Sequence, residues 1–294
     1  MELLRAATLV TPDPEATAAR YSQWFDYQVV ECGVLGADLA RSFDAPASAG
    51  RAYVVCQPAS GAEVFLRFVA GEAHPDYQPL RTYGWAAIEI CVQDTLAVNT
   101  RMERCPFEII GPPRELDGLP AIFPMQVKGP DGEIVYLTQI RENLPAYDLP
   151  RAASLVDKLF ILVMACSDMA ASMAWFDKTL GITAGREMEI VYTMLAKAFG
   201  TPMDQKFTIA TGIHGRDCFL EFDQYPAAAA TRPSHPGELK PGIALATLRH
   251  PNFDGIVGDW MTLPVRREGP IYGGGRVGVL SAPDGTLVEV VEIV

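Results

Sequence analysis

The strongest constraint in this chain is that it repeats itself. Trp24-Phe25-Asp26 returns as Trp175-Phe176-Asp177, and "LARSFDAP" (39–46) returns as "LAKAFGTP" (195–202). "VFLRF" (64–68) returns as "CFLEF" (218–222), and "GPDGEIVYLTQI" returns near the end as "APDGTLVEVVEI". The four matches keep their order at a shift of about 150 residues. An ordered repeat of this kind means that one supersecondary unit is used more than once, which decides the architecture before any single element is placed. Pro145, Pro150 and their polar neighbours interrupt the pattern. We therefore expect an N-terminal domain over 1–142, a linker over 143–154 and a C-terminal domain over 155–294.

Each half divides again. "LLRAATLV" reads as a strand, and "TPDPEATAARYSQWF" as a helix capped by Thr11 or Asp13. "RAYVVCQP" and "EVFLRFV" read as strands joined by a turn-rich stretch. The order restarts at "WAAIEICV" and its helix "DTLAVNTRMER". It restarts once more at "DKLFILVM", whose helix has Ser167 or Asp168 as its cap and Gly181 as its stop. The expected fold is α+β: four βαβββ units forming two tandem half-open β-barrels.

Four such units, with "WFDKTLGI" and two Pro-Asp-Gly turns leading into strands, resemble the vicinal-oxygen-chelate superfamily of glyoxalase I, extradiol dioxygenases, fosfomycin-resistance enzymes and bleomycin-binding proteins. The resemblance covers essentially the whole chain. It implies that each pair of units curls around a concave site with four strand positions as a metal seat. Aligned on the strands, those seats hold Lys158, Glu221, Gly242 and Glu289 in the C-terminal half, and Arg5, Arg67, Trp85 and Tyr136 in the N-terminal half. Only the C-terminal set carries carboxylates, so that half is the expected active domain. The four histidines all fall in Pro- or Gly-flanked stretches, which argues against the two-His, one-carboxylate iron site of an extradiol dioxygenase.

Lys158 between Glu221 and Glu289 would place an ammonium where the family places a cation. A substrate disturbing that pairing could make one glutamate a general base and the lysine an oxyanion stabiliser. The leading expectation is therefore a metal-independent isomerase or lyase acting on a partly apolar oxygenated metabolite, aromatic ones included, with no cofactor. Three other readings stand beside it. One is a buried ion-pair network without chemistry. Another is an enzyme using Mg²⁺ or Mn²⁺ on Glu221 and Glu289. The third is a sequestering protein like the drug-binding members of the superfamily.

A second constellation lies in the N-terminal half. Strict alternation on "WAAIEICV" puts Trp85 and Glu89 on one face, so Glu89 is expected to share a cavity with Arg5, Arg67 and Tyr136. Tyr192, Met194 and Phe199 on the repeated helical segment suit a lid over an apolar ligand.

The charge balance limits the partners. Lys plus Arg number 24 and Asp plus Glu 36, a formal net charge of −12 that disfavours nucleic acid and anionic membranes. No stretch has the length of a membrane span or the form of a signal peptide. The six cysteines form no Cys-x-x-Cys pair and read as reduced thiols in a cytoplasmic protein. The expected partner is a small molecule, and the chain is expected to act as a monomer or homodimer.

Overall fold

A computed structural model describes residues 3–116 and 118–293. The four expected units are present. Unit 1 holds strands β1 (Leu4–Thr11), β2 (Tyr27–Val34), β3 (Ala52–Pro58) and β4 (Phe65–Ala70), and unit 2 holds β5 (Gly84–Val92), β6 (Glu108–Gly111), β7 (Ile122–Lys128) and β8 (Ile134–Ile140). Unit 3 follows with β9 (Val156–Cys166), β10 (Thr183–Val191), β11 (Lys206–His214) and β12 (Asp217–Gln224). Unit 4 ends the chain with β13 (Gly242–His250), β14 (Val265–Arg266), β15 (Arg276–Ala282) and β16 (Thr286–Glu292).

The main helices are α1 (Pro14–Phe25), α2 (Ala37–Ser42), α3 (Thr95–Met102), α4 (Met169–Leu180) and α5 (Thr193–Phe199). Asp13, Asp94 and Asp168 cap α1, α3 and α4 by accepting first-turn N–H groups. Gly181 ends α4 in the left-handed region, which costs glycine nothing. In unit 4 the helix position holds only a 3₁₀ turn, Phe253–Gly255, where Pro251 and Gly255 interrupt helical backbone. No helix among the described residues is long and apolar enough to cross a membrane.

The units pair differently from the expectation. One eight-stranded sheet runs β14-β15-β16-β13-β1-β4-β3-β2, joining unit 4 to unit 1. The other runs β10-β11-β12-β9-β5-β8-β7-β6, joining unit 3 to unit 2. The halves 1–142 and 155–294 are thus each split between two sheets, so the barrels are nested in the chain instead of tandem. At each centre the opening strands of two units lie antiparallel, β1 on β13 and β5 on β9.

One core is shared by the two sheets and the helices. It contains Leu9, Tyr21, Phe25, Trp85, Ile88, Phe176, Phe222 and Val290, all essentially buried. The opposite faces are the concave ones, and their contents differ. Sheet 1+4 is filled by Leu39, Phe43, Val69, Leu245 and Val279, with Ile271 and Tyr272 entering from the "IYGGGRVG" segment. Sheet 2+3 instead encloses a cavity.

Candidate functional site

Strand register defines the central positions of each barrel. In barrel 1+4, Thr8 lies beside Arg67 and Thr247 beside Glu289. Arg67 donates to Glu289 Oε2 at 3.2 Å and to Thr8 Oγ1 at 2.9 Å. Thr247 and Tyr272 donate to the same carboxylate at 2.6 and 3.0 Å. The Phe43 ring covers the guanidinium at 5.1 Å. Arg67 and Glu289 are 2% and 0% exposed. Burial by itself would lower the Arg67 pKa, but Tyr272 and Glu289 more than offset it and hold the guanidinium protonated. This barrel is closed, and its charges are spent on each other.

The corresponding positions of barrel 2+3 are Val163 beside Glu221 and Glu89 beside Tyr136. Glu89, Tyr136 and Glu221 line a cavity of about 640 Å³ together with Phe160, Ile161 and Tyr192, among others. The cavity exists because α5 does not repeat what α2 does. Phe43 lies over Arg67, whereas its repeat partner Phe199 turns away to lie under the Arg81 guanidinium and edge-on to Tyr225. Leu144, Pro145, Tyr147 and Leu149, expected as linker, form part of the wall.

The floor of the cavity is acidic and hydroxyl-rich. The Tyr192 hydroxyl stands 2.7 Å from that of Tyr136 and 3.2 Å from Glu221 Oε1. Thr138 donates to Glu89. Behind Glu221, two residues along β12, lies Asp223; it is 1% exposed and neither of its carboxyl oxygens has a hydrogen-bond partner of ordinary geometry among the described residues.

All three carboxyls are pushed upward. Burial, with the Glu221 charge second, raises Glu89 to about 8. Burial and the neighbouring Asp223 raise Glu221 well above the usual carboxylate range. Burial raises Asp223 to about 7, against the lowering effect of a proton shared with Glu221. A carboxyl held near neutrality in an apolar cavity is equipped to give or take a proton.

The structure brings together Glu89, Tyr136, Tyr192 and Glu221, and disperses the other expected site residues. Glu221 and Glu289 sit in different barrels, so they cannot share a substrate or a metal ion. Lys158 lies five residues along β9 from Val163, roughly 16 Å at strand rise. It lines a small cleft with Leu4, Val64 and Asp148. The reason is register: the central positions of the opening strands are Val163 and Thr247, not Lys158 and Gly242.

Arg5 is also elsewhere, donating to Glu63 and to the carbonyls of Pro270 and Ile271. Arg67 meets Glu289 instead of Glu89. Trp85 belongs to the shared core and donates to the Leu287 carbonyl at 2.9 Å. A register shift between Trp85 and Ala87 breaks the alternation that placed it beside Glu89. Met194 packs behind the cavity among buried apolar neighbours.

Asp223, Thr8, Thr138, Thr247 and Tyr272 were missed as site neighbours. Asp223 and Thr138 were within reach of sequence reasoning, since each lies two residues along a strand from an expected site residue, Glu221 and Tyr136.

A metal seat does not fit these residues. Val163 offers no donor atom, and among the described residues no group of three His, Cys, Asp or Glu side chains is placed to hold an ion.

No family model and no curated protein sequence matches the chain. Solved structures do. Glyoxalase I from Zea mays is similar with a TM-score of 0.64 at 14% identity, covering 99% of this chain and 92% of that one. A point variant of the same maize enzyme is similar at 0.65 and 14%, covering 99% and 93%. A candidate dioxygenase from Bacillus subtilis is similar at 0.62 and 10%, covering 99% and 86%. The chain therefore shares its fold with glyoxalase I. At these identities the likeness concerns the fold, and the activity has to be argued from the cavity.

Proposed function

We propose that the chain is a small-molecule enzyme of the glyoxalase-like fold, moving a proton on a partly apolar oxygenated metabolite bound in barrel 2+3. The observation that carries this is the coupled group of carboxyls on the floor of a largely apolar cavity, joined to the Tyr192 and Tyr136 hydroxyls. The roles divide by environment. Glu221, backed by Asp223 and Tyr192 and raised well above the usual carboxylate range, is the acid that meets a substrate carbonyl oxygen. Glu89, raised to about 8, is the base and, once ionised, takes a proton from the carbon α to that carbonyl. Where the α-carbon carries a hydroxyl, return of the proton to the former carbonyl carbon as that hydroxyl gives up its own gives an isomerase; loss of a leaving group from the β-carbon gives a lyase. No step requires a metal ion, in keeping with the donor set.

The test is deuterium exchange from D₂O into the α-carbon of a simple aryl ketone, 1-phenyl-2-propanone, followed by NMR. The wild-type protein should accelerate exchange above buffer, with a rate that rises with pH through about 8. Glu89→Gln should abolish that rise, and Glu221→Gln should lower the rate about a hundredfold or more. If both variants bind the ketone normally and exchange stays at the buffer rate even in the wild type, the cavity is a binding site without proton-transfer chemistry.

A further inference from the structure

The sign of the cavity says what kind of molecule it takes. Five of its lining residues carry carboxyl groups: Glu89 and Glu221 on the floor, and Glu142, Glu187 and Glu189 elsewhere on the wall. Among the described residues the one lining cation is Arg186, and it is exposed. Asp223 adds a sixth carboxyl just behind the floor, buried and sharing a proton with Glu221. The remaining lining is mostly apolar, including Ile122, Phe160, Ile161, Met188 and Ile209.

Barrel 1+4 shows the contrast. There the equivalent of Glu221 is Arg67, which neutralises Glu289 from within the chain. Barrel 2+3 has the carboxyls without the guanidinium. Burial holds these acid groups protonated, and an incoming cation supplies the counter-charge that lets one of them ionise inside the cavity. An anionic molecule would find no counter-charge on that floor, and the exposed Glu142, Glu187 and Glu189 would repel it during approach.

We infer that the physiological ligand of barrel 2+3 is an organic cation, an amine or guanidine on an apolar body, whose charged head takes in this barrel the place that Arg67 takes in the other. The inference rests on the cavity being the ligand site but not on the proton-transfer chemistry proposed above.

Three probes with one apolar body separate the possibilities: 4-phenylbutylamine, 4-phenylbutanol and 4-phenylbutyrate, titrated by calorimetry at pH 7. The amine should bind about tenfold or more tightly than the alcohol, and the carboxylate most weakly. In Glu89→Gln and Glu221→Gln, each first shown to unfold at a temperature close to wild type, the preference for the amine should shrink while alcohol binding persists. A Met188→Trp variant, which narrows the cavity, should weaken all three.

An alcohol that binds as well as the amine, and is weakened by Met188→Trp, overturns the cationic class and leaves the site reading in place. Binding that ignores Met188→Trp, or no binding by any probe, overturns both.

Discussion

Glu289 offers the sharpest test of how the barrels are assembled. It is 0% exposed, its partner Arg67 is 2% exposed, and they meet at 3.2 Å inside barrel 1+4. Glu289→Gln keeps the shape of the side chain and leaves the amide able to bond Thr247 and Tyr272, but it strips the guanidinium of its counter-charge. Arg67→Met does the reverse, leaving a buried carboxylate with two hydroxyl donors. Breaking a buried pair from one side costs about 3–5 kcal/mol, because the surviving charge stays desolvated.

The double variant Arg67→Met/Glu289→Gln holds no unpaired charge. Its cost should fall well below the sum of the singles, with a coupling energy of at least about 2 kcal/mol. Equilibrium urea unfolding, followed by circular dichroism and tryptophan fluorescence, measures all four corners of the cycle. Costs that add, with no coupling, would refute the pairing of Arg67 with Glu289 and, with it, the joining of unit 1 to unit 4. Ligand binding in barrel 2+3 should be unaffected in every folded variant. Its loss in Glu289→Gln would mean that Glu289 belongs to the ligand site.

The raised carboxyls make stability depend on pH in a definite direction. Glu89 at about 8 and Asp223 at about 7 hold protons in the folded chain that the unfolded chain gives up near its ordinary carboxyl pKa. The stability they contribute is thus complete at low pH and is lost as pH rises through 7 to 8. The melting temperature should be lower at pH 9 than at pH 5.5, and Glu89→Gln should flatten part of that slope; a melting temperature that rises over the interval would contradict the burial of these groups. Trp85→Phe should cost about 1–3 kcal/mol through the unpaired Leu287 carbonyl, as read by urea unfolding. It should leave ligand affinity unchanged, whereas a fall in affinity would put Trp85 in the cavity. Tyr192→Phe removes the hydroxyl between Tyr136 and Glu221 while keeping the ring. It should lower the exchange rate without weakening the binding of apolar probes, and an unaltered rate would remove Tyr192 from the relay.

The unit was legible in the sequence because its signals are local. An aspartate cap, a helical stripe, a glycine stop and a Pro-Asp-Gly turn each act within a few residues, and their ordered recurrence exposed the duplication. The two glutamates that matter in barrel 2+3, Glu89 and Glu221, were also visible, as polar residues inside apolar strand runs. Their partners were not. Joining unit 1 to unit 2 and unit 3 to unit 4 would also give one barrel an Arg–Glu pair, Arg67 with Glu89, and the other a Glu–Glu pair, Glu221 with Glu289. Counting charges could therefore not choose between the arrangements. That choice belongs to long-range pairing, β1 with β13 and β5 with β9, which no local pattern encodes. The same holds for the shift that turns Trp85 into the core and for the register that puts Val163 opposite Glu221. A displacement of one residue moves a side chain to the other face of a sheet, so which carboxyls share a cavity is settled only when the strands have met.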